Sequence, residues 1–276
     1  MRRYFTARPV VHLALVAYTL LAILPILLIL MNSFKSRGAI FGAPLSLPNE
    51  KTFSLVGYVS VLAKANFTLY FANSLIVTVG SLLLVLLFGA MASWALTEYR
   101  FKFNTIVGLY LAIGIMVPIR LGSVSILKLM VTLGLVNTLP ALILVYTAMG
   151  LPLAIFILSE FIQQIPREMR DAARIDGASE YRIFWNVILP LIRPAVATVA
   201  VFTMVPIWND LWFPLILAPN EKTKTVTLGA QQFLGQFSSD WNSVLAALTM
   251  AMLPILALYI VFSRQFLAGL TRGAID

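Results

Sequence analysis

What most constrains this chain is the recurrence of apolar runs about 20 residues long, the length at which an α-helix crosses the hydrocarbon layer of a bilayer. Such runs fall at 10–31, 70–96, 105–119, 139–161, 195–217 and 244–266. Only 11% of residues are charged and 60% are hydrophobic, whereas a soluble domain carries about 25% charged residues. The pattern predicts an all-α membrane protein of six transmembrane helices. A shorter apolar piece at 124–133 is flanked by Pro118, Gly122 and Gly134. It reads as a segment that dips or lies at the interface, because proline and glycine there disfavour one straight helix. The first run follows Arg2, Arg3 and Arg8 as a secretory signal would, but it is too long and no small-residue cleavage site follows. It is read as a retained span.

The net charge of +9 would suit nucleic acid in a soluble protein. In a chain this apolar it marks the side of the membrane that keeps basic residues, the cytoplasm, and no nucleic-acid partner is expected. With both termini on one side, twelve Lys and Arg share that side and eight lie opposite. The reading is therefore a multi-pass membrane protein with both termini cytoplasmic, the bilayer itself being a partner. Three segments are expected: 1–69 with the first span and an outer loop, 70–266 with five spans, and the tail 267–276.

Chemistry is sparse. There are no cysteines and the only histidine is His12, which argues against disulfides, thiolate nucleophiles, metal sites and His-based triads. No phosphate-cradling Gly-x-x-x-x-Gly-Lys-Ser/Thr is present, nor Gly-x-Ser-x-Gly or His-Glu-x-x-His. The chain reads as a non-enzyme without a cofactor of its own.

The segment at 163–194 is neither span nor simple loop. Pro166 suits a first helical turn; Met169, Ala172, Ala173 and Asp176 then recur at helical spacing, with Glu168 and three arginines on other faces. Gly177 fits the left-handed residue that ends a helix. A second short helix carries Ile183, Phe184, Val187 and Ile188, and Pro190 and Pro194 are expected to close it. This hairpin is either an amphipathic connector lying on the membrane or a docking element for a soluble partner.

The run Asp171-Ala172-Ala173-x-x-Asp176-Gly177-Ala178, followed by Ile188-Leu189-Pro190, resembles the EAA loop of membrane subunits of binding-protein-dependent ABC importers, with Asp171 in place of the motif's leading Glu. Asn32-Ser-Phe-Lys35, Phe71-Ala-Asn-Ser-Leu-Ile76, Leu133-Gly-Leu-Val-Asn-Thr138 and Trp208-Asn-Asp210 with Pro214 are similar to the maltose-type carbohydrate branch. The resemblance implies a type I importer permease of a bacterial inner membrane, with a cytoplasmic coupling helix at 167–177. Glu168, Asp171, Ala172, Ala173, Asp176 and Gly177 would be its ATPase-coupling residues. It also implies a second membrane subunit, two ATPase subunits holding ATP and magnesium, and an extracytoplasmic solute-binding protein. The substrate expected is a carbohydrate or sugar derivative.

Candidates for the solute pathway are Arg120, Trp208, Asn209 and Asp210. Asp210 is either a charge facing water or a partner at membrane depth or, as favoured here, the cap of a helix broken between Pro206 and Pro214. Trp208 and Trp212 would suit sugar stacking, but tryptophan at the outer leaflet more commonly marks the interfacial aromatic belt. Arg120 either snorkels to the interface or offers its fork to an acidic sugar. Permeases for amino acids, peptides or phosphate stay open. So does a self-sufficient secondary transporter, which should show paired intramembrane acids or repeated broken helices, and so does a membrane scaffold.

Overall fold

The computed structural model describes residues 2–64, 66–99, 101–234 and 240–272, with side chains described over 9–63, 66–99, 101–234 and 240–257. The end of the tail, 273–276, lies outside them. Every regular element among the described residues is helical. In chain order these are α1 (Arg2–Ser33), α2 (Arg37–Gly42), α3 (Val56–Lys64), α4 (Phe67–Glu98), α5 (Asn104–Met116), α6 (Ser123–Thr132) and α7 (Leu139–Gln163). There follow α8 (Arg167–Ile175), α9 (Glu180–Ile183), α10 (Leu189–Leu191), α11 (Arg193–Asn209), α12 (Trp212–Leu217), α13 (Val226–Ala230) and α14 (Trp241–Arg272).

Among the described residues, three single helices are long and apolar enough to cross a membrane: 9–33 within α1, then α4 and α7. Two bent helix pairs are together also long and apolar enough. α5 stops at Met116, short of the run expected to reach 119, and after Pro118 the chain turns by 91° into Ile119–Thr132. Val117 precedes that proline and is forced out of helical geometry, with ψ at 121°. The expected run 195–217 is likewise not one helix. α11 ends at Asn209, Asp210 takes extended geometry, and α12 starts at Trp212. α14 is helical to Arg272, its described apolar stretch covering Trp241–Ala257.

Pro190 does not close its helix as expected. A π turn at Phe184–Ile188, in which the Leu189 amide donates to the Phe184 carbonyl, leads directly into α10. A proline removes an i→i−4 bond and crowds the carbonyl that would accept it, and a wider turn relieves both. The break comes instead at Ile192, where Glu180–Leu191 and Arg193–Asn209 meet at 75°.

Two units make up the chain: 1–68 with 229–253, and 69–228 with 254–276. In the first, the loop after α1 folds back around Lys35, which is fully buried. Its Nζ donates to Asn32 Oδ1 at 3.0 Å and to the carbonyls of Ala43 and Pro44 at 2.9 and 3.3 Å. The second unit has two apolar cores. One joins Val85, Ala90 and Trp94 of α4 to Leu158 and Ile162 of α7 and to Ile183, Phe184 and Ile188. The other gathers Val77, Met130, Leu142, Val145 and Tyr146 around Phe213 and Leu217. Between the cores Gly150 lets three helices close in. A Cβ there would lie 2.8 Å from Val85 of α4 and 3.2 Å from Thr203 of α11.

Candidate functional site: the α8–α9 hairpin and the Asp210 cavity

Two regions of the second unit bring the sequence-predicted polar side chains together. In the hairpin, α8 starts after Pro166, carries Glu168 in its first turn and Arg174 in its last, and so complements its own dipole. Asp176 is the C-cap, and Gly177 follows at φ +78° with open space where a side chain would lie. Ser179 then accepts from the Arg182 amide to start α9. Spacing alone therefore located the helix, its stop and the turn.

Glu168, Asp171, Ala172, Asp176 and Gly177 are exposed, as are Met169 at 44% and Ile175 at 86%. Ala173, expected beside Ala172 on the docking surface, packs inward against the core of α4 and α7 instead. The two alanines thus sit in different environments, one helical step of about 100° apart. Arg170 is buried, although it too was expected on the charged surface.

Glu98, at the end of α4, has both carboxylate oxygens engaged: Arg170 Nη1 donates to Oε2 at 2.6 Å, and Arg174 Nη2 donates to Oε1. Arg174 also pairs with Glu180 at 2.8 Å and with Asp171 at 3.1 Å. The Arg170 guanidinium lies 5.8 Å from the Trp94 ring. Hydrogen bonds from Arg174 hold the Glu180 carboxyl below its ordinary range against the opposing effect of burial, with Tyr99 adding a further bond. A carboxyl depressed in this way contributes above its unfolded value of about 4.3 and is lost only as pH falls through the lower, folded value. Lowering the pH from 7 to 5 is therefore expected to leave hairpin amides protected in hydrogen exchange, once intrinsic rates are corrected. Loss of protection already at pH 5 would contradict this ion pairing.

The second region is a cavity of about 450 Å³ lined by Arg120, Tyr146, Gly150, Thr203, Asn209, Asp210 and apolar side chains. Three of the four expected pathway residues meet there. Trp208 does not: it is buried, edge-on to Phe71 at 5.6 Å. Asp210 Oδ2 accepts from Tyr146 Oη at 2.8 Å and from the Phe213 amide at 3.0 Å, and Oδ1 accepts from the Trp212 amide at 3.3 Å. This is capping of α12, the role favoured from the sequence. The Arg120 guanidinium sits 3.7 Å from Oδ1 and 5.9 Å from the centre of the Trp212 ring. Tyr146 was missed: a lone tyrosine inside an apolar run gives no periodic signal.

Residues 85–271, which include both regions, match the family described as binding-protein-dependent transport system inner membrane component. The chain belongs to that family. This inner membrane component is 34% identical to the diacetylchitobiose uptake system permease protein of Streptomyces coelicolor, over 95% of this chain and 87% of that protein. It is 33% identical to the melibiose/raffinose/stachyose import permease protein of Bacillus subtilis, over 91% of each. It shares its fold with a chain of a bacterial ABC transporter involved in importing the acidic polysaccharide alginate, at a TM-score of 0.79, 23% identity and coverage of 96% of this chain and 97% of that one. The all-α importer-permease architecture expected from the EAA-like loop is borne out.

Proposed function

We propose that this permease is one membrane subunit of an ATP-driven importer that moves an oligosaccharide or sugar derivative across the inner membrane. The relatives named for diacetylchitobiose and for melibiose, raffinose and stachyose support the substrate class. The proposed complex includes a second membrane subunit, two ATPase subunits and an extracytoplasmic solute-binding protein. A solved relative in complex with its alginate-bound periplasmic protein supports the last of these. ATP and magnesium belong to the ATPase subunits in this reading. Both termini and the hairpin lie in the cytoplasm, and six spans cross the bilayer.

The observation that carries the coupling role is the two-sidedness of α8. Arg170 and Ala173 tie it inward, while Glu168, Met169, Asp171, Ala172, Ile175 and Asp176 are exposed on a short, charged, small-residue surface. That surface suits a groove on an ATPase subunit, Ala172 permitting close approach and the acids setting register. Gly177 sets the angle at which α8 is presented. On the solute side, Arg120, Asn209 and Asp210 line the pathway. Because Arg120 is paired with Asp210, the cavity is close to neutral and offers both donors and acceptors to sugar hydroxyls.

Co-purification in mild detergent from the native host tests the reading. An ATPase and a second membrane protein are expected with the wild-type chain, and Gly177→Asp is expected to recover at least tenfold less ATPase. A chain that purifies alone and moves solute in liposomes without ATP would overturn it.

A further inference from the structure

The hairpin is covalently continuous with α7 and α11, yet its ionic anchor is on neither. Glu98, the final residue of α4, holds both Arg170 and Arg174 with a side chain that is 12% exposed, and the Arg170 side chain is 6% exposed. Trp94, one turn earlier, faces the same guanidinium. Apolar packing between the hairpin and α4 can slide. A carboxylate shared between two guanidiniums fixes distance and direction, because each fork donates along set N–H vectors.

The other end of α4 is tied as firmly. The Asn73 amide donates to the carbonyls of Lys222 and Lys224 at 3.0 and 2.9 Å, and Ser74 Oγ accepts from the Val226 amide at 2.8 Å. Tyr70 donates its hydroxyl to Glu221. The segment held in this way reaches the solute cavity, since Thr227 Oγ1 donates to the carbonyl of Asp210 at 2.8 Å. One continuous helix of 32 residues therefore has the hairpin fastened to one end and the 221–227 segment fastened to the other. No proline interrupts it, whereas α7 contains Pro152 and α11 contains Pro206. At 1.5 Å per residue it spans about 48 Å.

We propose that α4 is the rod that carries hairpin displacement to the cavity, with Glu98 as the positioning residue at its hairpin end and Asn73 at its cavity end. This rests on the ATPase-coupling reading of the hairpin. The mechanism needs no new contact on ATP binding: moving α8 pulls Glu98, α4 shifts as a body, and the 221–227 segment moves Asp210. α7 and α11, each with an internal proline that removes one backbone hydrogen bond, absorb the difference. A physical rather than merely spatial pathway requires that both ends bias the same movement.

The test uses the complete complex with its ATPase partners. The chain has no native cysteine, so a single Asn209→Cys reporter on the exposed cavity rim can be labelled with fluorescein maleimide. Labelling is compared without nucleotide and after trapping with ATP and vanadate, alongside ATP hydrolysis. In the reporter background, trapping is expected to change the labelling rate at least threefold. Glu98→Gln is expected to remove most of that change while hydrolysis stays within about twofold. Asn73→Ala, which touches nothing in the hairpin, is expected to do the same from the opposite end. That shared uncoupling is what a local structural role for Glu98 does not produce, and the Asn73 variant keeps the test open should Glu98→Gln fail to assemble. If Asn73→Ala keeps the full nucleotide-dependent change, the rod is overturned while the coupling reading stands. If the reporter chain brings down no ATPase, the coupling reading itself falls.

Discussion

Lys35→Met is expected to loosen the loop between α1 and α3 so that protease cleaves it at least tenfold faster in detergent, with a lower Tm for the whole chain. Methionine retains the apolar stem, so packing along the side chain is nearly conserved. What disappears is the ammonium that organises the turn. Its three acceptors, Asn32 Oδ1 and the carbonyls of Ala43 and Pro44, close a ring of backbone around a group with no solvent exposure. Hydrogen bonds to a charged donor contribute about 1.5–3 kcal/mol each, and a buried acceptor left unpaired costs about 1–3 kcal/mol. These effects overlap, because Pro44 keeps a bond from the Asn32 amide at 3.0 Å. A net loss of about 3–5 kcal/mol is the expected scale. Lys35→Arg should not restore the loop, since the planar guanidinium needs more room than a compact ammonium. Equal cleavage rates for wild type and Lys35→Met would mean that the loop is held by its backbone pairing, Ser36 to Thr52 and Ser54 to Phe34 at 2.8 Å each, and not by the ammonium.

Lys35 also shows where sequence reading stops. The lysine was legible as part of the loop after the first span, but its burial was not, because the acceptors are mostly backbone carbonyls and carry no residue signature. Glu98 was invisible for a different reason. It ends an apolar run, where an acid ordinarily reaches for the headgroups, and its arginine partners lie 72 and 76 positions away. Local periodicity cannot connect such positions. The features that were legible are those set within one helix. Run length located α1, α4 and α7; Pro166 and Gly177 bounded α8, through a missing N–H and a positive φ. The 91° bend was foreshadowed by Pro118 and Gly122. Two local signals competed in the fifth run, and the break favoured between Pro206 and Pro214 is the one that formed. The apolar run 195–217 looked continuous, whereas two prolines with Asp210 between them favoured a break. Likewise Pro190 looked like a stop until the π turn before it absorbed the missing donor.

Asp210 allows capping and charge to be separated, because Asn keeps the acceptor and removes the charge. Asp210→Ala is expected to lower stability by about 2–4 kcal/mol, combining a lost cap of about 1 kcal/mol with a lost charge-assisted bond from Tyr146 of about 1.5–3 kcal/mol. The Arg120 pair adds little to that figure: its side chain is 69% exposed, and such pairs contribute about 1 kcal/mol at most. Asp210→Asn can still accept from the Phe213 amide, so its stability should fall between wild type and alanine. Tyr146→Phe removes only the hydroxyl and should resemble Asp210→Asn more than Asp210→Ala. Thermal unfolding in detergent, followed by tryptophan emission, reads this order directly, since Trp212 lies at the start of the capped helix and donates its indole N–H to Ser123 at 2.8 Å. Function should not follow the same order. Asp210→Asn leaves Arg120 as an unbalanced cation in the cavity, and uptake of a neutral oligosaccharide by the full complex is expected to fall about tenfold, a loss of 1.4 kcal/mol, although the fold survives. A double variant, Asp210→Asn with Arg120→Gln, restores neutrality and should recover most of that uptake without recovering Tm. Recovery of neither would mean that Asp210 acts only as the cap of α12 and that the charge of this cavity has no part in handling the solute.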